Sequence, residues 1–308
     1  MADRPRTHAE FVQEIRRSGG EIIFVVDPKN PIGIFDSGVG GLSVLRAVRA
    51  QMPAENILYF GDQGHIPYGP RPMEQIRDFS EAITNFLLEK DAKIIVVACN
   101  TASAAALTYL REKFPNVKFV GMEPAVKPAA EHTHTGRVGV LATPATFQGA
   151  LYASVVERFA KGVKLYQNTC NGLVQEIEKG NLNGYETRKI LEDALQPMLE
   201  KDIDTVVLGC THYPFVIPLI QEIVGENVRV IDPAPAVARQ AQRLLEAGGM
   251  LNESESQGRI KLFTSGDPQV LKSQLPLLLG EEGEVERVEW DNDSELSGGS
   301  ISEAYRDP

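Results

Sequence analysis

The feature that most constrains the fold of this chain is an internal repeat of long period. Ile95, Val96, Val97, Ala98, Cys99, Asn100 and Thr101 align with Val206, Val207, Leu208, Gly209, Cys210, Thr211 and His212, an offset of 111 residues. Upstream, Ile32 to Ser37 resembles Val138 to Thr143; downstream, Glu123, Pro124, Ala125 and Val126 resemble the stretch from Asp232 to Val237. Solenoid repeats have periods of about 20–50 residues, so this period points instead to two copies of one domain. A chain of 308 residues has room for two domains of about 150 residues each.

From Pro31 onward, short runs rich in Val, Ile and Phe alternate with longer segments of helical periodicity, the pattern of a parallel sheet with helices on its faces. The class is α/β. Expected strands are Ile32 to Phe35, Ile57 to Phe60, Ile94 to Ala98, Val117 to Val120, Val138 to Leu141, Val163 to Tyr166, Ile203 to Leu208 and Val228 to Ile231. Residues 1–30 read as an appended arm, with Phe11, Val12 and Ile15 at a weak helical spacing and an apolar run from Ile22 to Val26. After Trp290, residues 291–308 lack periodic apolar positions and read as a flexible tail. The proline-containing stretches at 123–126 and 232–237 serve as crossing points. The first domain is then discontinuous, 31–125 with 236–290, and the second is 126–235.

Composition excludes several classes of function. With 31 basic and 42 acidic residues the formal charge is −11, which repels phosphate backbones and anionic membranes, so no nucleic-acid partner is expected. No apolar run reaches the roughly 18 residues of a spanning helix, and Ile22 to Val26 is too short for the core of an export signal. Three widely spaced cysteines do not make a disulfide framework, so reduced thiols and a cytoplasmic location are expected. No close cysteine pair or helical histidine pair indicates a zinc site, and no metal is expected.

Ligands of parallel α/β sheets bind beyond the carboxyl ends of the strands. Cys99 and Cys210 both stand there. The run Asn100 to Ala106 opens with capping residues and continues with helix formers, which puts the Cys99 thiol at a helix N-terminus, a position that favours thiolate. A core-filling cysteine has no reason to recur at the matching strand end of both repeats. Cys170 follows no such strand end and reads as structural. Asp36 precedes the glycine turn Gly38, Val39, Gly40, Gly41, and an acid beside a thiol can orient it or receive its proton. That turn has neither dinucleotide nor Walker spacing. His212, two residues past Cys210, is placed to assist that thiol or polarise a ligand. His8, His132 and His134 lie in polar stretches and read as exposed, and the role of His65 is open.

The motifs IGIFDSGVGG (Ile32 to Gly41), YFGDQGHIPYG (Tyr59 to Gly69), VVACNTAS (Val96 to Ser103), EPAV (Glu123 to Val126), LGCTHYPF (Leu208 to Phe215) and FTSGD (Phe263 to Asp267), in this order, resemble the glutamate racemases within the cofactor-independent aspartate/glutamate racemase family. The resemblance implies two pseudo-symmetric, doubly wound, flavodoxin-like domains with the active site in the cleft between them. It implies no cofactor, and specifically no pyridoxal phosphate. By position Cys99 and Cys210 become the two catalytic thiols, acting on opposite faces of the substrate's α-carbon. Asp36 resembles the acid that assists the first, and His212 with Glu178 the pair that assists the second. Around Glu178 the chain departs from the family pattern, with Asn171 and Gln175 where two prolines are usual. The implied substrate contacts are Asp36, Ser37, Tyr68, Gly69, Asn100, Thr101, Thr143, Thr211 and His212, and the implied substrate is glutamate, with D-glutamate supplied to peptidoglycan. Relatives often form homodimers; the residues themselves leave the assembly open.

Three rivals stand beside this reading. Aspartate or another amino acid can replace glutamate within the family. A cysteine-nucleophile hydrolase or amidotransferase needs only one thiol with a histidine base, and leaves the repeated cysteine without a use. A non-catalytic amino-acid binding protein has no use for paired thiols.

Overall fold

The computed structural model describes residues 15–18, 21–24, 26–291 and 295–298. Its strands in chain order are β1 (Ile15–Ser18), β2 (Glu21–Phe24), β3 (Ile32–Asp36), β4 (Ile57–Gly61), β5 (Ile94–Val97), β6 (Phe119–Gly121), β7 (Arg137–Ala142), β8 (Lys164–Asn168), β9 (Thr205–Gly209), β10 (Arg229–Ile231), β11 (Ile260–Thr264), β12 (Val285–Asp291) and β13 (Glu295–Gly298). Two sheets carry the architecture, one ordered β13-β12-β11-β4-β3-β5-β6 and the other β10-β9-β7-β8.

The repeat is visible in this topology. The run β4-β3-β5-β6 of the first sheet and the run β8-β7-β9-β10 of the second have the same strand order, parallel throughout. The central strands are fully buried runs of Ile, Val, Leu and Phe, as expected for parallel strands covered on both faces. Gly33 and Gly139 occupy matching positions of β3 and β7, and both are needed for close packing. A Cβ would stand 2.9 Å from Ile95 Cδ1 at Gly33, and 2.9 Å from Met198 Sδ at Gly139. One apolar cluster contains Ile34 and Val96 of the first sheet together with Leu141 and Leu208 of the second, so the two sheets share a core.

Strands β11 and β12 extend the first sheet beyond the elements expected from sequence. Charged residues interrupt the apolar ones (IKLFT, VERVEWD), so neither makes a continuous apolar run. The tail reading is corrected at Asp291 and over Glu295–Gly298. Asp291 ends β12, and Glu295–Gly298 pairs with it as antiparallel β13, with Leu296 packed against the aromatic cluster beneath. Residues 292–294 and 299–308 lie outside the described residues. The helical spacing read at Ile15 is corrected too, because Ile15–Ser18 pairs antiparallel with Glu21–Phe24 as β1 and β2. Phe11, Val12 and His8 lie outside the described residues. His132 and His134 are exposed.

Candidate active site

Strand β5 ends at Val97, and two residues later Cys99 caps the helix Asn100–Lys113, its sulfur accepting the Ala102 N–H at 3.4 Å. Asp36 ends the neighbouring strand β3. These adjacent strands flank the switch point where α/β sheets open to ligands. The Asp36 carboxylate is wholly buried and accepts the backbone N–H groups of Gly41 at 2.8 Å and Gly38 at 3.3 Å. The Ser37 hydroxyl lies 3.8 Å from the Cys99 sulfur.

In the second sheet β9 ends at Gly209 and is followed by Cys210. The Cys210 sulfur is 3.8 Å from His212 Nδ1, and His212 Nε2 is 2.6 Å from Glu178 Oε1. Glu178 ends the helix Leu173–Glu178 and reaches across to the first sheet's glycine turn, where Oε1 accepts the Val39 N–H at 2.8 Å. Its other oxygen accepts from Gln63 Nε2 at 3.2 Å, and Gln274 Nε2 donates to its backbone carbonyl. The glycines of the turn make this approach possible. A Cβ on Gly38 would stand 2.1 Å from Glu178 Oε1, and one on Gly40 2.4 Å from His212 Nδ1.

Cys99 and Cys210 line one cavity of about 260 Å³, the scale of a small metabolite. Ser37, Tyr68, Gly69, Asn100, Thr101, Thr143, Thr211 and His212 line it as well. Asp36 and Glu178 do not. Asp36 stands behind Ser37 with its oxygens turned to the glycine turn, which removes it from the expected substrate contacts and leaves it beside the thiol. Tyr68 lines the cavity, but its hydroxyl donates to Asp62 at 2.6 Å. Both amide atoms of Asn100 are buried without a hydrogen-bond partner, although the residue is only 3% exposed. A buried amide in this condition needs a ligand or water to satisfy it. Thr101 and Thr143, one from each half of the molecule, bond across the cavity wall at 2.9 Å.

The electrostatics of the two thiols differ. Burial pushes the Cys99 thiol well above its ordinary range, and the neighbouring Asp36 carboxylate adds to the rise. The Ala102 N–H and the Ser37 hydroxyl pull the other way and lose. The expected helix-end stabilisation of thiolate is therefore overturned at Cys99 by desolvation, which disfavours the charged form. Burial also raises Asp36, against the pull of His212 and of its hydrogen bonds. At His212 burial would lower the pKa, but the hydrogen bonds to Cys210 and Glu178 override it and hold the imidazole well above its ordinary value. Burial would raise Glu178, yet the bonds from His212, Val39 and Gln63 keep it below. His212 and Glu178 thus form a buried ion pair beside Cys210.

Several wall residues carry no signal of their own in the sequence, among them Thr169, Asn171, Gly172 and Gln175. Cys170 belongs with them. Strand β8 runs to Asn168, so Cys170 does follow a strand end. It lines the cavity in a left-handed backbone conformation with φ 44°, and burial pushes its thiol up to about 12. Gln63 lies within the motif Tyr59 to Gly69 but nothing there marks it as a partner of Glu178, and Gln274, which also holds Glu178, lies in no motif.

Comparison with known proteins shows the family. A family model described as Asp/Glu/Hydantoin racemase matches residues 37–241. A glutamate racemase of Pseudomonas paraeruginosa is 49% identical over 259 residues, covering 84% of this chain and 97% of that protein. Among solved structures, a glutamate racemase of Bacillus anthracis superposes with a TM-score of 0.76 at 32% identity, covering 84% of this chain and 97% of the other. The Escherichia coli glutamate racemase, crystallised with L-glutamate and the activator UDP-MurNAc-ala, gives 0.74 at 32% identity and covers 87% and 100%. This chain therefore belongs to the Asp/Glu/Hydantoin racemase family, within its glutamate racemases, and is an isomerase.

Proposed function

We propose that the enzyme interconverts L- and D-glutamate by a cofactor-independent two-base mechanism. The observation that carries this reading is the pair Cys99 and Cys210, which come from matched strand ends of two like sheets and line a single cavity. Inversion at one carbon needs a base on one face and an acid on the other, held in place at once. One cysteine, as thiolate, takes the α-proton, and the Cα–H electron pair passes into the carboxylate-stabilised carbanion. The other, as thiol, delivers its proton to the opposite face and is left as thiolate. One turnover therefore exchanges the protonation states of the two sulfurs. Asp36 assists Cys99; His212, held by Glu178, assists Cys210.

The ligand contacts proposed are Ser37, Tyr68, Gly69, Asn100, Thr101, Thr143, Thr211 and His212. Among the described residues no lysine or arginine lines the cavity, and the substrate carboxylates are held by hydroxyls, amides and backbone N–H groups. The N-terminus of the 14-residue helix Asn100–Lys113 adds a favourable field. We also assign residues 31–125 with 236–290 to one domain and 126–235 to the other, a division supported by β11 and β12 joining the first sheet.

Among the described residues no helix is long and apolar enough to cross a membrane, and all three cysteines are free, which supports a cytoplasmic setting. There the enzyme would supply D-glutamate for peptidoglycan. The test is turnover of L-glutamate and L-aspartate side by side, followed by chiral separation, together with rescue of a D-glutamate auxotroph. D-glutamate formation with rescue is the expected result. Preferential aspartate turnover, or a trapped acyl-enzyme in place of racemisation, would replace this reading.

A further inference from the structure

Beside the cavity, and outside the catalytic groups assigned above, lies a fully buried carboxylate. Asp62 follows β4 and is wholly inaccessible to solvent. Its Oδ2 accepts the Tyr68 hydroxyl at 2.6 Å; its Oδ1 accepts Ser265 Oγ at 2.6 Å and Trp290 Nε1 at 2.9 Å. His65 Nδ1 approaches both oxygens, at 3.1 and 3.2 Å, and its ring stacks on Phe79 at 4.0 Å between centroids. Trp290 packs on the same Phe79 at 5.3 Å and against His65 at 5.0 Å. Three segments distant in sequence therefore meet on one side chain: the turn His65 to Gly69, the end of β11, and β12. Of these, only the turn touches the cavity, through Ile66, Pro67, Tyr68 and Gly69.

We infer that Asp62 is a positioning residue for substrate binding, and that Trp290, the only tryptophan in the chain, belongs to the same positioning unit. A buried carboxylate is tolerated only when its lone pairs are satisfied, so its donors are held in one arrangement and the turn is fixed with them. Tyr68 spends its hydroxyl on Asp62, and what it offers the cavity is a ring and a backbone whose placement Asp62 sets. The indole N–H is a donor only. An amide at position 62 must therefore keep its oxygen toward Trp290 and Ser265 and turn its N–H₂ toward Tyr68, where a hydroxyl has been donating. Asp62→Asn disturbs the cavity wall while leaving both sulfurs and their acids untouched.

This inference rests on the reading of the cavity as a glutamate site. The experiment pairs steady-state kinetics on glutamate in both directions with titration of tryptophan emission by D-glutamate. In Asp62→Asn and in Trp290→Phe, whose altered side chain does not line the cavity, KM should rise about five- to tenfold while kcat falls less than threefold. Tyr68→Phe keeps the fold's other donors to Asp62 and provides the same readout should Asp62→Asn not fold. In the unmodified enzyme, emission should change saturably with a midpoint near KM. Failure of that enzyme to racemise glutamate would overturn the reading of the cavity. Racemisation with emission unchanged at saturation, or unaltered KM in Trp290→Phe and Tyr68→Phe, would overturn the inference about Asp62 alone.

Discussion

The two halves of the molecule share a strand order and a cysteine position but not the groups that serve the cysteine. In the first half an acid, Asp36, ends the strand next to Cys99; the matching position of the second half is Ala142. Two residues beyond the cysteine the first half has Thr101, and the second has His212. Each half thus carries an ionisable group where the other carries a small or neutral one. The consequence is chemical asymmetry within a symmetric frame. In the proposed mechanism Cys99 is assisted by a carboxyl from its own sheet, whereas Cys210 is assisted by an ion pair whose acid, Glu178, also bonds to Val39 in the glycine turn that follows β3. Duplication explains how two thiols come to face one cavity. On the proposed mechanism, the divergence of their partners gives each thiol its own assisting group.

The comparison breaks first at the sulfurs. Cys99→Ala and Cys210→Ala should each lower racemisation by about 10³-fold or more, since each removes an acid–base group that acts on reaction in both directions. Near-normal turnover by either variant would mean that only one half is catalytic. Next come the partners. Asp36→Asn and His212→Asn should each cost about 10²-fold in kcat. Primary isotope effects measured from the two enantiomers should shift in opposite senses for the two variants, because each slows the step at a different sulfur. Shifts of the same sense would show that the asymmetry has no mechanistic meaning.

A smaller effect tests how the halves are joined. Gly38→Ala forces Glu178 Oε1 away from a Cβ it would meet at 2.1 Å, and that oxygen is held by both Val39 and His212. The expected result is about a tenfold loss of kcat, with the Cys210 step slowed more than the Cys99 step.

The smallest effect is on stability against pH. Glu178, depressed in the folded enzyme, contributes stability above its ordinary value near 4.5 and loses it as pH falls through its folded value. His212, raised, contributes fully below its ordinary value near 6.5 and loses it as pH rises through its folded value. Thermal melts of Glu178→Gln should therefore be flatter across both limbs than those of the unmodified enzyme. Parallel profiles would remove the ion pair from the account.

What the sequence discloses follows from how local each signal is. Strands β3 to β10 are legible because apolar runs such as IIVV and TVVLG end against Gly, Pro or polar capping residues. Strands β11 and β12 lie toward the sheet edge and have charged residues among their apolar ones, and β13 is four residues of mostly small or polar character. At the site, the repeat marks Cys99, Cys210 and His212 by position, and the strand end marks Asp36. Glu178 is reached only through resemblance, since its partners Val39, Gln63 and Gln274 lie 139, 115 and 96 residues away. No periodicity links residues so far apart. The thiol ionisation at Cys99 is illegible for a different reason: a helix N-terminus can be read from composition, whereas the desolvation that outweighs it depends on what the fold packs around the sulfur.

The most direct test of two thiols on opposite faces is the distribution of label at low conversion in deuterated water, starting from each pure enantiomer. Nearly all newly formed enantiomer should carry deuterium at the α-carbon, while recovered starting enantiomer carries almost none. Product that keeps its original α-proton, or label spread equally into unreacted starting material, would mean that a single base serves both faces.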